Sequence, residues 1–101
     1  MSNIDVSQQE GSLIFTLPAR FDSHIIENFR DAYSDIPGDS DLIYIIDLAQ
    51  TEYIDSSALG MLLNFKHHVQ AGDGIVCIKN CQPKLKHIFE MSSFTSIFKF
   101  L

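Results

Sequence analysis

Apolar residues fall in short continuous or alternating runs that predict the strands. Runs at 13–17, 42–46 and 75–78 are rich in β-branched side chains, and turn-forming residues lie between them. A weaker alternation over 4–9, joined to the first run by a turn at Glu10-Gly11, predicts an N-terminal hairpin. The run at 42–46 has no polar position, a pattern typical of a central strand that is buried on both faces.

Three segments between and after these runs carry apolar residues at helical spacing. The first follows Ser23, a predicted N-cap, and should end before Pro37-Gly38. The second follows Ser56-Ser57 and should end near Gly72. The third has Pro83 in its first turn, where proline is well tolerated.

A short apolar end at 97–101 is a candidate last strand. The predicted order is therefore β-β-α-β-α-β-α, with this strand closing the chain. Strands that alternate with helices indicate parallel crossovers, with the helices covering the sheet.

Length and composition fit one globular domain. The chain has 101 residues, of which 46% are hydrophobic and 20% are charged. No apolar stretch approaches the roughly 20 residues needed to span a bilayer, and no basic-then-apolar leader opens the chain. We therefore expect a single domain over residues 1–101 that is cytoplasmic, monomeric and not inserted in a membrane.

Charge is distributed unevenly along the chain. Eleven of the 13 acidic residues but only two of the seven basic ones lie in residues 1–55, which gives −9 there and +3 in residues 56–101. The net charge of −6 argues against non-specific nucleic-acid binding, which depends on lysine and arginine. The acidic half is consistent with solubility or with a basic partner.

The stretch from Asp47 to Leu63 carries the strongest candidate for function. A predicted strand ends in an acid, a connector follows, and Asp55-Ser56-Ser57 opens a helix. Asp55 or Ser56 would serve there as a helix cap, accepting backbone N–H groups. A helix N-terminus also tolerates an added anion, because its free N–H groups and its dipole favour negative charge. From the residues alone, both interpretations stay open.

Catalytic, metal and cofactor sites find little support in the sequence. Ser56 or Ser57 would need a histidine base within hydrogen-bond reach, and no spacing brings any of the four histidines there. His67-His68 lacks the spacing of paired zinc ligands, and Cys77 and Cys81 form neither a CxxC motif nor a disulfide framework. We therefore expect no enzymatic activity, no metal and no cofactor.

Three segments carry a resemblance to a known family. Arg20-Phe21-Asp22, before the first helix, resembles a Gly-x-Leu/Phe-Asp segment. The strand at 43–48 followed by 53–60, Tyr-Ile-Asp-Ser-Ser-Ala-Leu-Gly, is similar to a signature of apolar-apolar-Asp-Ser-Ser/Thr-Gly-Leu-Gly. The segments 83–85 and 89–92 resemble a Pro-x-Val/Leu helix that ends near Met-Ser/Thr-Gly. Together they make the chain resemble a STAS domain, the fold of the anti-sigma factor antagonists, over essentially its whole length.

The resemblance implies an α/β fold, STAS-like, with a mixed central β-sheet of four to five strands and three to four helices packed on it. It also implies a phosphorylation switch, in which Ser56 matches the family's phosphoacceptor and Ser57 is the less favoured acceptor. Asp55 matches the acid beside the acceptor, and Asp22 matches the acid on the neighbouring loop. The expected partner-binding residues are Asp22, Asp55, Ser57, Ala58 and Leu59.

In such a switch the unphosphorylated form binds an anti-sigma factor or a serine kinase, phosphorylation releases the partner, and a PP2C-type phosphatase resets the protein. The chain departs from the pattern at Ala19 and Ala58, where the family usually has glycine, and at Ser93, which follows the Met-Ser pair. Alternatives are a non-catalytic subunit of a lipid transporter or stress complex, or a regulator of biofilm or cyclic-dinucleotide signalling.

Overall fold

The computed structural model describes residues 4–34, 42–70, 75–92 and 98–101. In chain order, the elements of these residues are β1 (Asp5–Gln9), β2 (Ser12–Thr16), β3 (Arg20–Phe21), α1 (Ile26–Ser34), β4 (Ile43–Asp47), β5 (Tyr53–Ile54), α2 (Ser56–Gln70), β6 (Ile75–Lys79), α3 (Pro83–Met91) and β7 (Lys99–Phe100). The hairpin, the buried runs, the three helices and the last strand are therefore confirmed as elements.

Five strands form one mixed sheet in the order β1-β2-β4-β6-β7. β1 pairs with β2 antiparallel, through a turn in which Gly11 adopts a φ of 75°. The remaining neighbours pair in parallel. This is the predicted α/β architecture with a mixed central sheet.

All three helices of the described residues pack against one face of that sheet. The ring contacts that show it are Phe29–Phe15 from α1, Phe65–Tyr44 from α2 and Phe89–Phe100 from α3. Parallel crossovers share one hand, so helices that connect strands in a constant direction fall on the same side. The prediction that β4 is buried on both faces is therefore wrong: Tyr44 is fully buried, but Ile43 is 40% exposed.

Element ends differ from the sequence-based expectation at the first helix. α1 begins at Ile26, so Ser23 lies in the preceding turn and is not the N-cap. Pro83 does stand at the start of α3. Phe98 is buried and closes the core beside α3. The helix ends predicted near Pro37-Gly38 and Gly72 lie outside the described residues.

Candidate functional site

Two connecting segments meet at the N-terminus of α2. β3 and β5, two residues each, pair in parallel with Arg20 opposite Tyr53 and Phe21 opposite Ile54. Just beyond the pair, the Asp55 N–H donates a hydrogen bond to the Phe21 carbonyl at 3.4 Å. The loop that carries Asp22 therefore lies beside the loop that carries Asp55, although 33 residues separate them in the sequence.

Asp55 is the N-cap of α2 and also holds the neighbouring loop. Its Oδ1 accepts a hydrogen bond from the Ala58 N–H at 2.9 Å, and its carbonyl accepts the first helical bond, from the Leu59 N–H. Its Oδ2 accepts the Ser23 N–H at 3.3 Å. One carboxylate thus connects the start of α2 to the segment that leads into α1.

The four residues after Asp55 divide into an exposed pair and a buried pair. Ser56 and Ser57, the first two residues of α2, are exposed. Ala58 is fully buried and Leu59 is 7% exposed, both in the hydrophobic core. The partner contact expected at Ala58 and Leu59 stays a prediction. In this structure their side chains pack the first turn of α2 against the hydrophobic core.

Asp22 is a buried acid, 7% exposed, with its hydrogen bonds satisfied locally. Oδ1 accepts the His24 N–H at 3.0 Å and lies 3.3 Å from His24 Nδ1, while Oδ2 lies 3.3 Å from Arg20 Nε. Burial acts to raise the pKa of Asp22, but these hydrogen bonds and the nearby His24 charge outweigh it and hold the pKa below its ordinary value. Its charge is therefore compensated within the loop itself.

Sequence reasoning missed the residues that lock the two loops together. Thr51, fully buried, donates a hydrogen bond from its hydroxyl to the Pro18 carbonyl at 2.8 Å, and the Gln82 side-chain amide donates to the Thr51 carbonyl at 3.1 Å. The Arg20 guanidinium lies 4.3 Å from the centre of the Tyr53 ring. A threonine in a polar connector gives no sequence signal of burial, so these contacts follow only from the fold.

An open groove of about 380 Å³ lies beside this site, lined by Pro18, Ala19, Arg20, Asp22, His24 and Ile25. The His24 side chain, which lines this groove, is 88% exposed and is paired with Asp22. It therefore lies in solvent, and not in the enclosed, water-excluding pocket in which a histidine base activates a nucleophilic serine. Within the described ranges, no cluster of His, Cys, Asp and Glu suits a metal ion. The arrangement leaves an exposed serine at the start of α2, beside an open groove.

No helix of the described residues has the length and apolar character needed to cross a bilayer.

A family model for the STAS domain matches residues 3–101. A STAS-domain containing protein of Pseudomonas aeruginosa (strain UCBPP-PA14) is 36% identical over 87 residues, which are 86% of this chain and 85% of that protein.

Solved structures share the fold at low sequence identity. SpoIIAA of Bacillus, an anti-sigma factor antagonist, superimposes in its unphosphorylated form with a TM-score of 0.75 at 17% identity, covering 97% of this chain and 86% of that one. Its phosphorylated form gives 0.74 at 18% identity, covering 97% and 90%. A sulfate transporter family protein from Wolinella succinogenes gives 0.80 at 13% identity, covering 93% and 80%. With the match of the family model across nearly all of its residues, the chain belongs to the STAS domain family.

Proposed function

We propose that this STAS domain is a non-catalytic, phosphoregulated anti-sigma factor antagonist that acts in the cytoplasm. Its unphosphorylated form binds an anti-sigma factor or a serine kinase at the N-terminus of α2, phosphorylation of Ser56 releases that partner, and a PP2C-type phosphatase restores binding. The observation that carries the proposal is the exposed hydroxyl of Ser56, held at the first position of a 15-residue helix by the Asp55 cap.

The fold accommodates a phosphate at this position. Ser56 is exposed, so the group is added in solvent and displaces no core side chain. The N-terminus of α2 favours negative charge, because its first N–H groups and its dipole point toward the added anion. The buried pair Ala58 and Leu59 keeps the start of the helix packed on the core whether or not Ser56 is modified.

A partner docked over Ser56 meets a changed surface after phosphorylation. The phosphate adds roughly −1.5 to −2 charge at neutral pH. Asp55 and the exposed Glu52 already carry negative charge here, whereas Asp22 is paired with Arg20 and His24. Docking would require the new dianion to lose water without a matching cation, at a cost of several kcal/mol. The switch therefore works by repulsion and desolvation at the interface.

The contact surface that we propose is made of exposed and half-exposed residues around Ser56. Ser57 and Asp55 lie on it directly, and Asp22 shapes it by holding the neighbouring loop. Ala58 and Leu59 act as supports, since their side chains face the core. The adjacent groove, which has apolar and charged side chains in its lining, offers a recess in which a partner side chain would fit.

Two measurements test the proposal. Intact-mass analysis of the protein isolated from cells, grown with and without stress, should show one added phosphate that Ser56→Ala removes and Ser57→Ala leaves in place. Affinity capture with the Ser56→Ala form should retain a kinase or anti-sigma factor that the Ser56→Asp form does not. Absence of phosphate at Ser56 under every growth condition, or equal capture by both forms, would contradict the proposal.

A second candidate is a stable, non-catalytic subunit of a larger assembly. The likeness of fold to a sulfate transporter family protein favours it, since the same domain occurs in a transporter context. In this case the chain should co-purify in fixed stoichiometry with a transporter or stress complex, equally well with Ser56→Ala and Ser56→Asp. That result, together with unmodified Ser56, separates the two functions.

A further inference from the structure

The five-stranded sheet has a second face that no helix of the described residues covers. Side chains of cross-strand partners lie on the same face of a sheet, and successive residues of a strand alternate between faces. The row that faces the helices is Phe15, Ile46, Ile78 and Phe100. The adjacent row, which therefore faces away from them, is Ile14, Ile45, Cys77 and Lys99.

This second surface, here called the open face, has an apolar centre. The central residues are Ile14, Ile43, Ile45, Ile75 and Cys77, of which Ile14 and Ile45 are half-buried and Cys77 is 4% exposed. Ile43 and Ile75 are partners on adjacent strands and are 40% and 53% exposed. Parallel strands are normally covered on both faces, because both carry apolar side chains. An apolar centre on parallel strands that none of the described helices covers, with Ile43 and Ile75 exposed, indicates an interaction surface.

Charged residues of opposite sign border the open face at its two edges. Asp5 lies on β1 at one edge, while Lys79 and Lys99 lie on β6 and β7 toward the other, and all three are exposed. A second copy related by a two-fold axis that runs parallel to the strands over β4 sets β1 of each copy over β7 of the other. The acidic edge then faces the basic edge twice, and the apolar centres face each other.

One acid, Asp47, lies near that axis, so the arrangement brings the Asp47 side chains of the two copies toward each other. Asp47 is the last residue of β4 and lies on the open face, and its Oδ1 accepts hydrogen bonds from the Asn80 side-chain amide at 3.0 Å and from the Ala49 N–H at 2.9 Å. Its register partner on β6 is Lys79, so a cation lies beside it in the same copy. The carboxylate is thus engaged within its own chain.

We propose that a second copy of this chain docks on the open face, sheet against sheet, as a two-fold symmetric dimer. Four strands of five residues and one of two, spaced about 4.8 Å apart with about 3.3 Å per residue, give a face of roughly 350 Å² per copy. Stable interfaces use about 800 Å² per partner. The association is therefore weak and concentration-dependent, and at low concentration the chain is the monomer expected from its sequence.

Sedimentation equilibrium of the full chain at low salt, from about 10 µM to about 1 mM, tests the proposal. The mean mass should rise toward twice the monomer mass. Ile75→Lys should raise the dissociation constant at least tenfold, because it places a charge at the apolar centre. Met91→Lys is the matched control: Met91 is 74% exposed, more than Ile75, but lies at the end of α3, so its variant should associate like the wild type.

Charge reversal tests the orientation of the two copies. Lys99→Glu should weaken association, and the double variant Asp5→Lys with Lys99→Glu should restore it, since acid and base exchange edges. These exposed positions tolerate either charge, and circular dichroism of each variant should match the wild type. A monomer at every concentration, or equal effects of Ile75→Lys and Met91→Lys, would overturn the proposal; failure of the double variant to recover would overturn the orientation.

Discussion

The Asp55 carboxylate forms hydrogen bonds in two directions, to Ala58 at the start of α2 and to Ser23 in the neighbouring loop. Its position beside the proposed phosphoacceptor therefore has a structural reason as well as an electrostatic one. Asp55→Ala should lower the free energy of unfolding by about 1–2 kcal/mol, because it removes the N-cap. Asp55→Asn should lose less than Asp55→Ala, because asparagine still caps the Ala58 N–H but presents an amide donor, not an acceptor, to the Ser23 N–H. Urea denaturation measures both, and equal stability of the two variants would show that the carboxylate is not the cap.

Asp22 makes the stability of the site depend on pH in a defined direction. Its pKa is lowered in the folded chain, so the charged form stabilises the fold above the unfolded pKa, about 3.9, and this contribution is lost as pH falls through the folded pKa. The difference in free energy of unfolding between wild type and Asp22→Asn should be largest near neutral pH and should shrink toward pH 3.

An NMR titration of the same carboxyl provides the control. Arg20→Gln removes one of its partners, at 3.3 Å, and should raise the pKa of Asp22 while the His24 N–H bond remains. In the stability experiment, a difference in free energy of unfolding between wild type and Asp22→Asn that increases as the pH is lowered would contradict the assigned contacts.

At the scale of elements, the short strands β3 and β5 depend on a buried threonine. Thr51 Oγ1 donates to the Pro18 carbonyl at 2.8 Å and lies 3.3 Å from the Leu17 carbonyl, which fixes the connector against the segment before β3. Thr51→Val keeps the shape but removes the donor to the part-buried Pro18 carbonyl, while the Leu17 carbonyl keeps the Gln50 side-chain amide, so the free energy of unfolding should fall by about 1–2 kcal/mol. Thr16→Val, at a half-buried position on β2, is the matched control and should change stability by under about 0.5 kcal/mol.

Hydrogen exchange locates the effect of the Thr51→Val change. The Tyr53 N–H donates to the Ala19 carbonyl at 3.1 Å, and its protection should fall in Thr51→Val more than that of amides in β4. A uniform fall across the sheet would indicate general destabilisation instead.

The elements that could be predicted are those whose own residues carry a recognisable pattern of apolar positions. α2 and α3 repeat apolar residues at helical spacing, and β4 and β6 are continuous apolar runs. β3 and β5 have two residues each and exist because they pair across more than 30 positions, so no local pattern reveals them. Ser23 is a good cap by type, yet its N–H is bound to Asp55 and the helix starts later.

Only part of the candidate site could be predicted from local sequence patterns. The Asp-Ser-Ser opening of α2 is a local cap pattern, and the structure confirms the helix that begins there. The approach of the Asp22 loop to it was expected only through the family resemblance, because β3–β5 pairing is a long-range feature. The burial of Ala58 and Leu59 depends on which side of α2 meets the sheet, which helical spacing alone does not fix for the first turn.

At the scale of the whole molecule, one core holds both the sheet and the site. Phe65 of α2 is fully buried and contacts rings from β2, α1 and β4: Phe15 at 5.2 Å, Phe29 at 5.5 Å, Tyr33 at 5.1 Å and Tyr44 at 5.8 Å between centroids. The buried side chains of the described residues form one core cluster, so damage to it is not compensated elsewhere in that part of the chain. The stability of the chain and the position of Ser56 therefore depend on the same cluster.

Phe65→Ala should consequently lower the free energy of unfolding by about 3–5 kcal/mol, since it removes ring contacts and leaves a cavity. A domain of this size has about 5–15 kcal/mol in total, so a large part of its stability is lost. Met91→Ala, at an exposed position on α3, should stay within about 0.5 kcal/mol of wild type. Thermal and urea unfolding measure both changes, and a loss for Phe65→Ala of under about 1 kcal/mol would contradict a single shared core.

Because α2 begins at Ser56 and is packed on the core through Phe65, phosphorylation of Phe65→Ala should fall with its folded fraction. Met91→Ala should be phosphorylated to the same extent as the wild type.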